Sequence, residues 1–332
     1  MIPDRPLVSI GVPVYNGART LPACLESLLE QSYSTIEIII CDNASTDGTA
    51  QVCEAFAARD RRIQYHRNPS NIGVVRNFRR VLELSRGEFF TWAPADDTRP
   101  REAIERCVDA LIKKPRAAMA HGPLLIRRPN DTSCRIVPNR ADLTQARAAA
   151  RVTAFTREIS HNSMLFGLYR RSSLQRAVLG RHCGQDYLLV LQMCYLGEIE
   201  YVDTPIVAYT ERKPAFSRMY AETPITLGSL LKVRGVQRYK CWTVLLLGSY
   251  YGLTRSAVGI SERLTATYAH IRGMFHMYSR QLAKELLFQL FEPLSLLAFI
   301  SWSFLRKRRQ GLWLARLLRA IAPSLAPREL FG

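Results

Sequence analysis

Four short apolar runs within the first 94 residues, each stopping at turn or polar residues and separated by stretches of helical period, constrain this chain more than any other feature. Leu7 to Val12 ends at Pro13, Tyr15, Asn16 and Gly17, and Ile36 to Cys41 runs into Asp42, Asn43, Ser45, Asp47 and Gly48. Ile63 to His66 is the third run, and the aromatic stretch from Phe89, which stops at Pro94, is the fourth. Runs this short and this continuously apolar read as strands buried on both faces. Between them, Thr20 to Gln31 places Leu21, Leu25, Leu28 and Leu29 at helical spacing with Thr20 as cap, and Thr49 to Arg59 is a second helix. Val74 to Leu84 is a third, with Val74, Phe78, Val81 and Leu82 on one face. Strand and helix in strict alternation predict a doubly wound α/β sheet.

Ligands of such sheets sit beyond the carboxyl ends of the strands. Three of those ends carry polar or special residues here: Pro13 to Gly17, Asp42 to Asp47, and the adjacent carboxylates Asp96 and Asp97. Neighbouring residues on an extended or turning segment point different ways, so one carboxylate can take a hard cation while the other binds something beside it. Taken singly, each end reads equally as a helix cap or a solvated loop. Together they build one mouth.

With 332 residues and 48% hydrophobic content the chain can bury a large core. Its net charge of +18 is uneven: from Arg212 onward there are 19 Lys and Arg against five Glu and no Asp, a net of +14. That imbalance points to an anionic partner for the C-terminal third. The eight cysteines include no CxxC pair and several fall in apolar patterns, which reads as reduced core residues and no zinc site. The N-terminus lacks the charged leader and apolar stretch of a secretory signal.

The succession VSIGVPVYNGARTLPACLESLLEQSY, IEIIICDNASTDGT, NPSNIGVVRNF and GEFFTWAPADD resembles the nucleotide-sugar-binding half of inverting family 2 glycosyltransferases of the GT-A fold. The match is close over residues 5 to 110 and looser to about 210. It implies a GT-A doubly wound mixed sheet with a Rossmann-like nucleotide-binding half in residues 1–220, followed by a basic, helical, membrane-associated appendage in 221–332. By resemblance, Pro13, Val14 and Tyr15 line the nucleoside pocket and Asp42 accepts a hydrogen bond from the base. Arg67 and Asn71 help close that pocket, Asp96 lies near the ribose, and Asp97 holds the Mg or Mn ion that bridges to the donor diphosphate. The acidic motif is shortened, because Ala95 stands where a first acid is usual. Arg212 is a candidate for helping to stabilise the leaving diphosphate.

Further along, Ala118 to Pro123 reads as a strand, and Arg127 to Arg151 as an Arg-rich surface loop without clear period, with a lid or acceptor contact as its functional reading. Asn162 to Arg171 resembles the strand flooring the acceptor side, with His161 beside it. An inverting transfer needs one base to take the proton of the acceptor hydroxyl. Asp186 matches the second acid of the family's usual ED pair, with Gln185 in place of the Glu; read alone, it is also a plausible helix cap ahead of Tyr187 to Leu196. Ile199 to Tyr209 resembles the closing strands and Tyr209 to Ser217 a flap. The QxxRW motif of processive relatives is absent, which implies a single addition.

In the tail, apolar runs at Cys241 to Leu253 and Leu286 to Leu305, the cluster Arg306 to Arg309, and an amphipathic stretch from Gly311 to Ile321 suit helices lying in the cytoplasmic leaflet as well as a packed helical subdomain. The expectation is a cytoplasmic enzyme at the inner face of the cell membrane. It would move a single sugar from a nucleotide-diphosphate sugar to a saccharide or lipid-linked saccharide in cell-surface polysaccharide or glycolipid synthesis. An anionic membrane surface is an expected partner and nucleic acid is not. The alternative is a catalytically silent nucleotide-sugar-binding or membrane scaffold protein, favoured only by the shortened acidic motif.

Overall fold

The computed structural model describes residues 5–127, 134–139, 141–158, 163–178, 185–210 and 259–276, all of which fall in one compact unit. The alternation is present as β1 (Val8–Val14), α1 (Leu21–Leu29), β2 (Ile36–Asp42), α2 (Thr49–Arg59), β3 (Ile63–Arg67), α3 (Val74–Glu83) and β4 (Phe89–Trp92). There follow α4 (Ala103–Lys113), β5 (Ala117–His121), β6 (Leu124–Arg127), β7 (Cys134–Val137) and α5 (Ala148–Glu158). A 3-10 turn (Ser163–Phe166) leads into β8 (Leu168–Arg170) and α6 (Arg171–Arg176), and then α7 (Gln185–Leu196), β9 (Glu198–Tyr201) and β10 (Val207–Thr210). A last helix, α8, spans 260–276.

Seven strands form one sheet in the order β3-β2-β1-β4-β8-β5-β9, and β10-β6-β7 form a smaller one. β1 to β4 are parallel, whereas β8 runs antiparallel to both its neighbours, so the sheet is mixed. Every residue of β1 and β2 is buried, which is why both read as unbroken apolar runs. At Gly11 a Cβ would lie 2.6 Å from Val81 Cγ2 and 2.9 Å from Phe90 Cζ, so α3 can settle on β1 only because that position has no side chain.

Two polar residues break the apolar runs at the end of the sheet opposite the mouth. Glu37, buried in β2, accepts hydrogen bonds from Ser9 Oγ (2.6 Å), Gln64 Nε2 (3.0 Å) and both the main chain and guanidinium of Arg86 (2.8 and 3.0 Å). Burial pushes its carboxyl up, but the bonds from Ser9 and Arg86 outweigh that and hold it below the ordinary carboxylate range. A carboxyl depressed in the folded state stabilises fully above its unfolded value of about 4.3 and loses that contribution as pH falls through the folded value. Glu37→Gln is therefore expected to cost about 2 kcal/mol at pH 7 and to flatten the loss of stability below about pH 4, measured by urea titration across pH.

Several local expectations change. Thr20 stands at the head of α1, yet its hydroxyl caps nothing; it donates to Ala95 O (3.0 Å), because the acidic turn is the nearer acceptor. Val74 is 67% exposed rather than on the packed face of α3, since the chain enters the helix from Gly73 at φ 85°. The Arg127–Arg151 segment is not simply a loop: it includes β7 and the start of α5. Arg151 is buried there, donating to Cys194 O (2.9 Å) and Ala146 O (2.7 Å), and a buried cation hides helical period from a hydrophobicity pattern. The strand expected over Asn162 to Arg171 is three residues long, because the 3-10 turn takes its first half.

In α8, Ala266, His270 and Met274 are buried, and Glu262 accepts a hydrogen bond from Ala148 N (2.6 Å) at the head of α5. Among the described residues no helix is long and apolar enough to cross a membrane. Arg212, His161, the 241–253 and 286–305 runs, the Arg306–Arg309 cluster and the 311–321 stretch lie outside them. Of the described cysteines, five are buried and Cys134 is exposed, and all six are free thiols.

Candidate active site

The carboxyl ends of β1, β2 and β3 lie in register, with Val14 beside Asp42 and Asp42 beside Arg67. On the other side of β1, Gly11 pairs with Trp92 at the end of β4, and Ala93 N donates to Gly11 O (2.9 Å). The strand order reverses here between β1 and β4, where a doubly wound sheet opens its crevice.

Asp42 is wholly buried. It accepts hydrogen bonds from Ser45 N (2.9 Å) and Tyr65 Oη (3.2 Å), and Arg67 Nε lies 3.8 Å away. Burial, followed by the Asp42 charge, pushes the Tyr65 phenol up to about 12, so it stays a donor at neutral pH. A carboxylate offers about four acceptor positions; its two hydrogen bonds take two and the Arg67 charge stands beside a third. Arg67 is half exposed and donates to Ser45 O (2.9 Å), which lays its guanidinium along the rim.

Pro13 and Val14 are buried, and Val14 O accepts from Asn43 N (2.9 Å), whereas Tyr15 is 50% exposed and gives this loop its accessible ring. The loop is laced to the one after β2. Asn16 N donates to Ser45 Oγ (2.9 Å), Gly17 N to Thr49 Oγ1 (2.9 Å), and Thr46 N to Asn16 Oδ1 (2.9 Å). Thr49 in turn donates through its hydroxyl and amide to Asp47, holding that carboxyl below its ordinary range.

Behind Asn71 lies an asparagine network that no sequence motif announces. Asn43 Nδ2 donates to Asn71 Oδ1 (2.8 Å), and Asn68 Nδ2 donates to both Asn43 Oδ1 (3.1 Å) and Asn77 Oδ1 (2.9 Å). Asn77 Nδ2 ends the chain on Cys41 O (2.8 Å), while Ile72 N and Gly73 N bond Asn43 and Asn71. The amides thus clamp the 68–73 loop to the end of β2. Asn77→Ala removes a buried amide that bonds both Asn68 Nδ2 and Cys41 O, so it is expected to cost about 2 kcal/mol in denaturant titration and to weaken donor affinity by loosening Asn71. A destabilised variant with unchanged donor affinity would confine the network to folding.

The acidic turn is held from three sides. Thr20 and Cys24 of α1 bond Ala95 O and Pro94 O, and Thr98 pairs with Ala208 of β10 through bonds of 3.2 and 2.8 Å. Arg99, which belongs to none of the motifs above, is buried and donates to Thr91 Oγ1 (3.1 Å), Trp92 O (2.9 Å) and Phe166 O (3.2 Å). Burial lowers this guanidinium to about 10, still charged at neutral pH. Asp96 is exposed and Asp97 half-buried. Among the described residues no group of three or more His, Cys, Asp and Glu could hold a metal. The acid pair fits an ion that takes most of its ligands from a bound diphosphate and water.

Asp186 lies in the first turn of α7, after Gln185, and is exposed. Burial raises the Tyr169 hydroxyl, and the Asp186 charge raises it further. Tyr169 belongs to β8, packs edge-on to Trp92 at 5.6 Å and donates to Leu165 O (3.1 Å) in the 3-10 turn beside the end of β4. Helix α7 packs against this 3-10 turn, and the turn packs against β4.

The family model "Glycosyl transferase family 2" matches residues 9–177, a little over half of the chain, and ends before Asp186. GlyG, a glycosyltransferase of Streptococcus pneumoniae serotype 4, is 33% identical over 108 residues, covering 32% of this chain and 36% of GlyG. Chondroitin synthase of Escherichia coli is 32% identical over 108 residues, covering 32% of this chain and 16% of that protein. The match thus spans about a third or less of the length of these curated relatives. Among solved structures, S. aureus TarS 1-349 has a TM-score of 0.57 at 16% identity, covering 81% of this chain and 72% of TarS; that protein has also been solved with UDP-GlcNAc. The mannosyltransferase PcManGT from Pyrobaculum calidifontis, in complex with GDP-Man and Mn2+, has a TM-score of 0.52 at 16% identity over 98% of this chain and 82% of that one. These neighbours share the mixed α/β architecture of GT-A glycosyltransferases, and the match from β1 through α6 establishes that the chain belongs to glycosyl transferase family 2.

Proposed function

We propose that this protein is an inverting, single-addition glycosyltransferase. It takes a sugar from a nucleotide-diphosphate donor and passes it to a saccharide or lipid-linked saccharide in cell-surface polysaccharide or glycolipid synthesis. The observation that carries the reading is the mouth itself: Val14, Asp42 and Arg67 in register at three strand ends, with the Asp96–Asp97 turn braced beside them. Residues 1–220 form the catalytic domain in this reading, and 221–332 the basic C-terminal region at the inner face of the membrane.

The nucleobase enters beside Tyr15, donates a hydrogen bond to the remaining acceptor position of Asp42, and moves the half-exposed Arg67 outward. Asn71, held by Asn43, closes the other side. Asp96 bonds the ribose. Asp97 would hold a Mg or Mn ion, which would supply stabilisation for the charge that develops on the leaving diphosphate. Asp186 accepts the proton of the acceptor hydroxyl while that oxygen attacks the anomeric carbon opposite the diphosphate, a displacement that inverts configuration.

The test is release of nucleoside diphosphate from a panel of nucleotide sugars, with a membrane lipid extract and Mg or Mn, comparing the intact protein with Asp186→Asn. Turnover that depends on Asp186 names the donor and supports the reading. Donor binding without turnover across widened acceptors would replace it with a silent nucleotide-sugar-binding protein.

A further inference from the structure

Away from the mouth, α5 and α8 enclose a cleft of about 340 Å³. Its floor is made of small residues, among them Ala149 and Gly273, and Gly273 lies so close to Thr156 that a Cβ there would meet Thr156 Cγ2 at 2.5 Å. The close approach of the two helices leaves their longer side chains standing around the opening. Arg147, Arg157, Arg272 and His276 line it together with the hydroxyl residues Thr153 and Thr265, and among the described residues no acidic one does. Three fixed positive charges around a space large enough for a substituted phosphate suit a phosphoryl group; the Thr153 and Thr265 hydroxyls donate to Ala149 O and Ser261 O and serve only as polar wall.

A second feature adjoins it. Ile260, Leu264 and Tyr268 recur every four residues along α8 and are 77%, 56% and 65% exposed. Four-residue spacing puts them in one stripe of the helix, and Tyr268, which also lines the cleft, joins the stripe to it. Helix α8 buries a different face, through Ala266, His270 and Met274, so the stripe is not part of the protein core. Large apolar side chains along a surface helix, flanked by arginines, are the composition of a segment that lies in a lipid interface.

We propose that this face of α5 and α8 docks on an anionic phospholipid surface, with a lipid phosphate in the cleft and the Ile260–Leu264–Tyr268 stripe among the upper acyl chains. The inference deepens the membrane part of the proposed function and rests on it. It replaces a diffuse attraction of the basic C-terminal third with a defined lipid-binding site on the compact unit. The charge of that third, +14 from Arg212 onward, adds a long-range pull toward the same surface.

The experiment is co-sedimentation of the full chain with phosphatidylcholine vesicles with or without phosphatidylglycerol. Three proteins are compared: unchanged, Arg157→Gln with Arg272→Gln, and Leu264→Ser with Tyr268→Ser. All four positions are exposed, and circular dichroism checks that each variant folds. Neutralising the two arginines is expected to weaken binding to anionic vesicles about 30-fold, from the attraction of each basic residue near such a surface. The stripe variant is expected to lose binding to both vesicle types. Unchanged sedimentation of either variant would overturn the site, as would binding of inorganic pyrophosphate as tight as that of vesicles at equal phosphate, which would make it a soluble-anion site. RNA homopolymer binding that required the same arginines, without vesicle binding, would overturn the lipid assignment as well. Nucleoside diphosphate release measured on the same proteins separates the two readings: failure of transfer appears there, and failure of docking only in the pellet.

Discussion

Replacing Asp186 with Asn is expected to lower kcat for sugar transfer about 1,000-fold while leaving donor affinity within about twofold. General base catalysis contributes on the order of 100- to 10,000-fold, and the amide cannot take up a proton at neutral pH. Asn keeps the volume and hydrogen-bonding reach of Asp, and Asp186 is exposed at the start of α7, so the fold has little to lose. If Asp186 served only the positive end of the helix, the substitution would cost under about 1 kcal/mol of stability and leave kcat nearly intact. A KM and kcat comparison at saturating acceptor, together with a denaturant midpoint, decides between these.

The second large effect is expected at the acidic turn. Asp97→Asn should weaken donor binding in the presence of Mg or Mn by at least about 10- to 100-fold, the range found for residues that merely support a metal ligand. In chelator the two proteins should bind the donor alike, because the ion and not the carboxylate makes the contact. Asp96→Asn, at the exposed neighbouring position, should show a smaller effect that persists in chelator, as a ribose contact would. Calorimetric titration of donor and of free nucleoside diphosphate measures all of these. Equal metal-supported affinity in Asp97→Asn and the unchanged protein would remove Asp97 from the metal role.

Asp97 and Asp186 differ in how openly the amino-acid sequence displays them. The acidic turn is plain in it, because the turn follows an apolar run that is buried on both faces and so has no alternation to obscure it. The same holds for β1 and β2, at whose ends stand Tyr15 and Asp42, whereas β3, which carries Arg67, is a partly exposed edge strand read from its place in the alternation. Asp186 is legible only by resemblance. The packing of its helix, α7, on the 3-10 turn goes with β8 entering antiparallel between β4 and β5, and a three-residue strand carries too little pattern to announce that pairing. The asparagine network is hidden for another reason. Asn43, Asn68 and Asn71 look like turn residues and Asn77 like a polar position inside α3, and only the register of β2 with β3 and the packing of α3 on β2 make them neighbours.

Local chemistry in the sequence was thus enough to determine the winding of the first four strands, since parallel strands and their covering helices each follow one pattern and each ends in recognisable turn residues. It also placed the acids of the mouth at strand ends. Tertiary structure alone decided what long-range packing controls: the burial of Arg99 and Arg151 against carbonyls, the bracing of the acidic turn by α1 and β10, and the cleft between α5 and α8. Each brings together residues tens of positions apart whose individual preferences are weak, so their arrangement follows from the packed sheet and not from any segment by itself.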